Sequence, residues 1–184
     1  MAEWEALLLM GTNSLISMNG GLGPQPARTL KAARGRLKLV VIDPREPESA
    51  RIADLHIQPR RGENAAILAG IARELIARGL FDHEFVAAEG VGLDALRAAI
   101  DPNTPAFVSC RAGIPAEQIV EAATNFGAAR CGAVSAGTGA NMSGESAVCE
   151  FFVRALTTLR GWWVRAGQQQ PNPLGGRGSC HARP

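Results

Sequence analysis

An α/β fold, a parallel sheet covered by helices on both faces, follows from three features of the sequence. Short apolar runs alternate with segments of helical periodicity, the joins between them are short, and glycine or aspartate stands where the runs stop. Alternation of this kind favours strand–helix–strand crossovers that lay helices over the sheet. Ligands of such sheets bind beyond the carboxyl ends of the strands.

The run Ala6 to Met10, ending in Gly11-Thr12-Asn13, reads as a buried strand feeding a loop. Asn19 to Pro24 is a glycine-rich turn, and Pro26 to Arg34 has helical composition stopped by Gly35. Leu37 to Ile42 is the clearest strand, apolar and β-branched as expected when both faces are covered. A brief helix over Glu48 to Ala53 and a short strand over Leu55 to Ile57 follow. Glu63 to Arg78 carries Ile67, Leu68, Ile71, Leu75 and Ile76 at one-faced helical spacing, ended by Gly79. Asp82 is placed to cap the next short helix through its side-chain oxygen.

Leu93 to Ile100 continues helical, and Asp101 to Pro105 breaks it. Pro115 opens a helix expected to bury Ile119, Val120, Ala123 and Phe126. Cys131 to Ser135 reads as a strand entering a second glycine-rich loop, Gly137 to Asn141. Val148, Phe151, Phe152, Ala155, Leu156 and Leu159 hold helical spacing over Glu145 to Leu159, so the segment is expected to pack firmly. The globular unit is placed at residues 1–160. Residues 161–184, rich in Gln, Gly and Arg, with Trp162 and Trp163 taken to lie beyond the core, read as a disordered tail or the start of a next segment.

Nineteen basic and 17 acidic residues leave a net charge of +2, which gives no reason to expect a nucleic-acid partner. No apolar run approaches the roughly 18 residues that span a bilayer, and the first residues lack the basic-then-apolar pattern of a secretory signal. No membrane contact is expected of this segment. The default compartment is cytoplasmic, or periplasmic if a parent chain carries an export signal. Cys110, Cys131, Cys149 and Cys180 form no C-x-x-C pair and are expected to be free thiols, mostly buried.

The candidate ligand residues stand at the expected strand ends. Gly11 permits close backbone approach, and Thr12 and Asn13 offer hydroxyl and amide groups to a phosphate or sugar. Asp43 can accept from a ribose or the N–H edge of guanine, and Arg45 can pair with a phosphate. Arg60, Arg61, Gly62, Glu63 and Asn64 precede a helix whose exposed N–H groups favour anions, with Asn64 able to present donor and acceptor to a base. Each also has an ordinary structural reading, as a loop exit, a helix cap or a solvated charge. His56 and His83 lack a metal-ligand spacing and read as surface or packing residues. No nucleophile elbow, P-loop or complete dinucleotide fingerprint is present, since Pro26 stands where the third glycine would be required. Neither catalytic nor metal-ligating residues are identified. An NAD-type Rossmann domain and a non-catalytic relic that keeps the fold stand as alternatives.

Taken in order, the run Leu7 to Asn13, Val40-Val41-Ile42-Asp43-Pro44-Arg45, and Ser49-Ala50-Arg51-Ile52-Ala53-Asp54 resemble the molybdopterin oxidoreductase family. That family has a strand ending in G-x-N, then IDPR with T-A-x-x-A-D behind it. Arg60-Arg61-Gly62-Glu63-Asn64 is similar to its R-P-G-T-D or N-G-S-N turn, and Gly79 to Val86 to its G-L-x-D-x-x-F-V stretch. Gly113 to Ile119 continues the likeness, which covers about residues 6–160.

The resemblance implies a Rossmann-like domain holding the guanosine end of one molybdopterin guanine dinucleotide, in enzymes such as formate dehydrogenases, nitrate reductases and dimethyl sulfoxide reductases. Their cofactor is the bis form with molybdenum or tungsten. It implies Gly11, with Thr12 and Asn13, near the pyrophosphate or nucleoside, Asp43 and Arg45 near the guanosine, Asn64 with Gly62 at the guanine, and Gly137 and Gly139 on the pterin side. Family members carry a [4Fe–4S] segment and a metal-ligating residue before this region and a β-barrel domain after it, none of which is recognisable here. The expectation is therefore a piece of a larger redox enzyme, truncated or frame-shifted at its end and inactive alone. Its partners would be the remaining domains and any electron-transfer subunits.

Overall fold

The computed structural model describes residues 4–17 and 25–163. The turn expected over 19–24 and the tail from 164 onward lie outside the described residues. Four parallel strands, β1 (Ala6–Met10), β2 (Lys38–Ile42), β3 (Leu55–Ile57) and β4 (Gly132–Ala136), form one sheet in the order β3-β2-β1-β4. β1 is central and pairs Ala6 with Lys38 on one side and with Gly132 on the other. Every residue of β1 is buried, which its uninterrupted apolar sequence allows.

Alternation of side chains splits the strands between two cores. Leu8, Met10, Val40, Ile42, Leu55 and Ile57 enter the larger cluster, and Leu7, Leu9, Leu39 and Val41 enter the smaller. The smaller face is covered by α2 (Pro26–Ala33), through Leu30 and Ala33, and by the single 3-10 turn Ala50–Ile52. A four-residue helix, α1 (Ser14–Ser17), leads out of β1. The larger face carries α3 (Asn64–Ala77) and α7 (Ala116–Ala128), with α4 (His83–Glu89), α5 (Leu93–Ile100) and α6 (Pro105–Ala112) completing the β3-to-β4 connection. After β4 come the one-turn α8 (Thr138–Asn141) and α9 (Ser146–Leu159), which packs on α3 and β4.

Several expectations are corrected by the packing. Helix α3 is buried almost all round rather than on one face, because α5, α6, α7 and α9 surround it. Its small residues permit this: a Cβ on Gly70 would stand 3.0 Å from Val108 Cγ2. Glu74, buried in that setting, has its carboxylate bonded by Arg73 at 3.0 Å and Arg78 at 2.8 Å. Pro105 does not merely break a helix but opens α6, whose N-cap Thr104 Oγ1 accepts the Phe107 N–H at 3.2 Å. Asp82 caps α4 as expected, accepting the Phe85 N–H at 3.0 Å.

The segment 137–141 is a helical turn rather than an open loop. Within α9, Phe152, Leu156 and Leu159 are buried, whereas Val148 and Phe151 are 46% and 55% exposed. They face an apolar groove of about 800 Å³ that α3, α5 and α9 leave open. Val120 is half-buried, unlike Ile119, Ala123 and Phe126.

Trp162 belongs to the core rather than lying beyond it. It is 2% exposed, its ring centroid is 4.5 Å from that of Phe126, and Arg160 lies over it at 5.5 Å. Arg160 also donates to the carbonyls of Leu80 at 2.8 Å and Ala129 at 2.5 Å, fastening the end of α9 to two neighbouring loops. Among the cysteines, Cys110 is free and exposed, Cys149 is free and buried, and Cys131 is disulfide-bonded, contrary to the expected thiol. Sequence spacing excluded chelating pairs but does not report tertiary proximity. Burial, and then the charges of Glu145 and Glu150, raise the pKa of the Cys149 thiol.

Candidate functional site

The chain passes from β1 to β2 and β3 on one side of the sheet and reaches β4 on the other. The carboxyl ends of β1 and β4 therefore flank the switch point, where crevices form in sheets of this type. Here three glycines bring backbones together. A Cβ on Gly137 would lie 2.3 Å from Thr12 Cβ, and one on Gly11, whose φ is +57°, would lie 2.6 Å from the Ala140 nitrogen. Their N–H groups are committed to the same packing: Gly11 donates to Ile42 O at 2.9 Å, Gly137 to Met10 O at 2.8 Å and Gly139 to Gly11 O at 2.9 Å.

Immediately after Gly11 the chain places polar groups inside. Thr12 is 7% exposed and Ser14 is fully buried. The Asn13 side-chain nitrogen donates to the Glu48 carboxylate, while Asn13 Oδ1 and Ser14 Oγ are both buried without a hydrogen-bond partner. Orphaned buried polar atoms cost about 1–3 kcal/mol each, and these two stand on adjacent residues. The Glu48 carboxyl is held below the ordinary carboxylate range by its own backbone N–H and then by the Asn13 amide. Glu48 is thus an ionised acceptor at the rim.

The second corner is formed by β2 and β3. Asp43, 2% exposed, accepts the Arg45 backbone N–H at 2.9 Å, and the Arg45 guanidinium, 77% exposed, reaches it only at 3.5 Å. His56 Nε2 donates to the Asp43 carbonyl at 3.0 Å, so that nitrogen carries the ring proton. Gln58 donates to Pro44 O at 3.0 Å. Beyond β3, Gly62 takes φ +88° and Asn64, half-buried, is the first residue of α3. Arg60 donates to the carbonyls of Cys110 and Arg111 at the end of α6, and Glu63 pairs with Arg111, whose pKa it raises. Arg60 and Glu63 thus tie α6 to the start of α3.

Comparison with protein-family models finds no match. Comparison with individual proteins does. The chain is 34% identical over 135 residues to formate dehydrogenase H of Escherichia coli, covering 71% of this chain and 18% of that protein. It is 33% identical over 130 residues to the alpha subunit of F420-dependent formate dehydrogenase 2 of Methanococcus maripaludis, and 31% identical over 147 residues to nitrate reductase of Synechocystis. These matches cover 70% and 77% of this chain and 18% and 21% of the relatives. Among solved structures, acetylene hydratase from Pelobacter acetylenicus superposes with a TM-score of 0.78 at 26% identity, covering 90% of this chain and 22% of that one. The chain belongs to the molybdopterin oxidoreductase family. It spans about a fifth of the length of the relatives it matches, several of them named as oxidoreductases.

Within this member of the family, the expected site residues fall into two groups. Gly11, Thr12, Asn13, Gly137 and Gly139 are brought together at the switch point, and the Asn13–Glu48 bond ties that group to the loop after β2, which begins at Asp43 and Arg45. Gly62 and Asn64 stand at the start of α3, where the described bonds run to α6 rather than to Asp43. Three polar residues escaped the sequence reading as site members: Ser14, Glu48 and the fully buried Ser49, whose Oγ points to Thr12 O at 3.5 Å. Ser14 and Glu48 signalled themselves in the sequence only by adjacency to Asn13 and to the Asp43 turn, and Ser49 only as part of the motif that follows Asp43-Pro44-Arg45. Among the described residues, no cluster of three metal-ligating side chains occurs, and no helix is long and apolar enough to cross a membrane.

Proposed function

We propose that this chain is the part of a molybdopterin oxidoreductase that holds the guanosine and pyrophosphate end of a molybdopterin guanine dinucleotide. The observation that carries the reading is the pair of buried, unpartnered atoms Asn13 Oδ1 and Ser14 Oγ at the switch point of a sheet whose next strand ends in buried Asp43. Polar groups of this kind fit a ligand rich in hydroxyl, amine and phosphate, and they do not fit an apolar one. When bound with molybdenum or tungsten, the cofactor supplies the oxidation–reduction chemistry; this chain supplies position.

In this reading Asp43 accepts from the guanosine and Arg45, exposed at the rim, pairs with a phosphate oxygen. Thr12 and Asn13 contact the nucleoside or its phosphates, while Gly11, Gly137 and Gly139 shape the floor between them. Gly62 and Asn64 close the guanine side, with Asn64 offering both donor and acceptor to the base edge. The metal-ligating residue, a [4Fe–4S] segment and the remaining domains belong to other parts of a longer enzyme, so the chain alone binds and does not turn over substrate. The similarity to formate dehydrogenases and nitrate reductase supports the cofactor class without selecting the electron donor.

Calorimetric titration of GDP and NADH into the chain tests this. GDP binding at least about tenfold tighter than NADH is expected, with Asp43→Asn weakening GDP about tenfold through loss of a charge-assisted bond. Tighter binding of NADH would instead make this an NAD-type domain. A folded chain that binds neither would be a relic of the fold.

A further inference from the structure

We infer that the apolar groove between α5 and α9 seats an amphipathic helix from the rest of a longer enzyme chain, and that an acidic side chain of that helix pairs with Arg154. This docking follows from membership of the family and from the groove itself, and it does not depend on the nucleotide reading above.

The groove has the form of a missing helix. Its floor is α3, where Ala65, Ala66 and Ala69 keep the surface low, and α5 and α9 pack on α3 as its two walls. From α9, Val148, Phe151 and Ala155 line it at i, i+3 and i+7; from α5, Leu93, Leu96 and Ile100 do so at the same spacing. Seams of that spacing are what a helix presents to a further helix laid beside it. Seven large apolar side chains stand exposed among the described residues, and three of them, Val91, Val148 and Phe151, line this one groove. Clustered apolar exposure of this kind marks a surface that a partner covers.

Charge and chain length select the partner. At the lip, Arg154 is exposed and makes no hydrogen bond or ion pair among the described residues. The other arginine on the groove, Arg111, pairs with Glu63 and also feels the charge of Glu145. The uncompensated charge is therefore positive, and a helix that fills the groove should carry an acid opposite Arg154. Residues 164–184 do not supply such a helix, since Val164 and Leu174 are their only large apolar side chains and they include no acidic residue. A second copy fits poorly, because an isologous pair sets two hollows face to face. The superposed part of acetylene hydratase is only 22% of that chain, and the match to formate dehydrogenase H is 18% of that protein. About four-fifths of such an enzyme is thus left to provide the helix.

The test is the rate at which a maleimide dye labels Val148→Cys in a Cys110→Ser background, with exposed Ala32→Cys on α2 as the control. Two proteins are compared, the full chain and formate dehydrogenase H of Escherichia coli with this chain grafted in place of its matched segment. Labelling at Val148→Cys should be at least about tenfold slower in the graft than in the chain alone, since a covered group reacts only through local opening, while Ala32→Cys changes little. Equal rates in a folded graft, or equal slowing at both positions, overturn the inference. If the graft does not fold, the decision passes to overlapping peptides of about 20 residues, roughly 30 Å as helix, drawn from the unmatched part of formate dehydrogenase H and added to the full chain. At least one acidic, apolar peptide should protect Val148→Cys, and Arg154→Gln should weaken that protection about tenfold through loss of a charge-assisted bond. No protection by any peptide overturns the inference. Slow labelling in the chain alone overturns it too: at twice the monomer mass in sedimentation the cover is a second copy, and at monomer mass it is residues 164–184.

Discussion

The two corners of the sheet's carboxyl edge use glycine in opposite ways. At the β1/β4 corner, Gly11, Gly137 and Gly139 pack closely against neighbouring chain, with no room for a Cβ at Gly11 or Gly137 and a tight fit at Gly139. At the β3 corner, Gly62 has nothing within 4 Å of where its Cβ would be and is needed only for its φ of +88°. The same residue type thus serves close packing in one place and a turn in the other. A glycine-rich motif near a strand end is therefore ambiguous until the N–H groups are traced, and here those of the first corner are internally consumed.

That contrast can be broken by substitution. Gly137→Ala should be the most damaging change, because the new methyl meets Thr12 Cβ at 2.3 Å and Gly11 O at 2.8 Å; a loss of about 3 kcal/mol or more, or failure to fold, is expected in urea denaturation. Gly62→Ala, with open space around it, should lose only the about 1 kcal/mol of left-handed backbone strain. Equal urea midpoints for the two variants would show that the switch-point glycines are not packed as described.

A smaller effect sharpens the comparison at the opposite, amino-terminal edge, where Glu5 accepts the Arg130 backbone N–H at 2.8 Å and its guanidinium at 2.5 Å. Those bonds hold the Glu5 carboxyl below its usual 4.5. A depressed carboxyl stabilises the fold above the unfolded value and loses that contribution as pH falls through the folded one. Glu5→Gln should therefore lose about 0.5–1 kcal/mol at neutral pH, with the difference from the parent shrinking as the solution is acidified and Glu5 takes up its proton. A difference that persists unchanged into acid would mean that the charge is not what Arg130 holds.

The sheet was legible because its strands are almost purely apolar: Leu7-Leu8-Leu9 and Leu39-Val40-Val41-Ile42 have no competing reading, and the structure places β1 and β2 there. Helix α6 was hidden because Pro105, its first residue, also resembles a break. Periodicity marked Val148 and Phe151 as interior since it registers a stripe and not what lies opposite; the open groove leaves them half outside. Trp162 gave no periodic signal, standing after Gly161 beside a polar stretch, although it fills the space next to Phe126. At the site, Asp43 and Asn13 could be named from strand ends, but Glu48 lies 35 residues from Asn13 and only the fold joins them.

The burial of Trp162 and of Trp4 gives the molecule two optical reporters on opposite sides of the sheet. Trp162 sits in the larger cluster against Phe126, and Trp4 sits in the smaller with Leu7 and Leu37. With Trp163 replaced by Phe, single-tryptophan versions would emit from one layer or the other. Coincident melting curves would show the two layers unfolding as one cooperative unit, and an earlier transition at Trp4 would show the thin α2 side peeling away while the helical side stands.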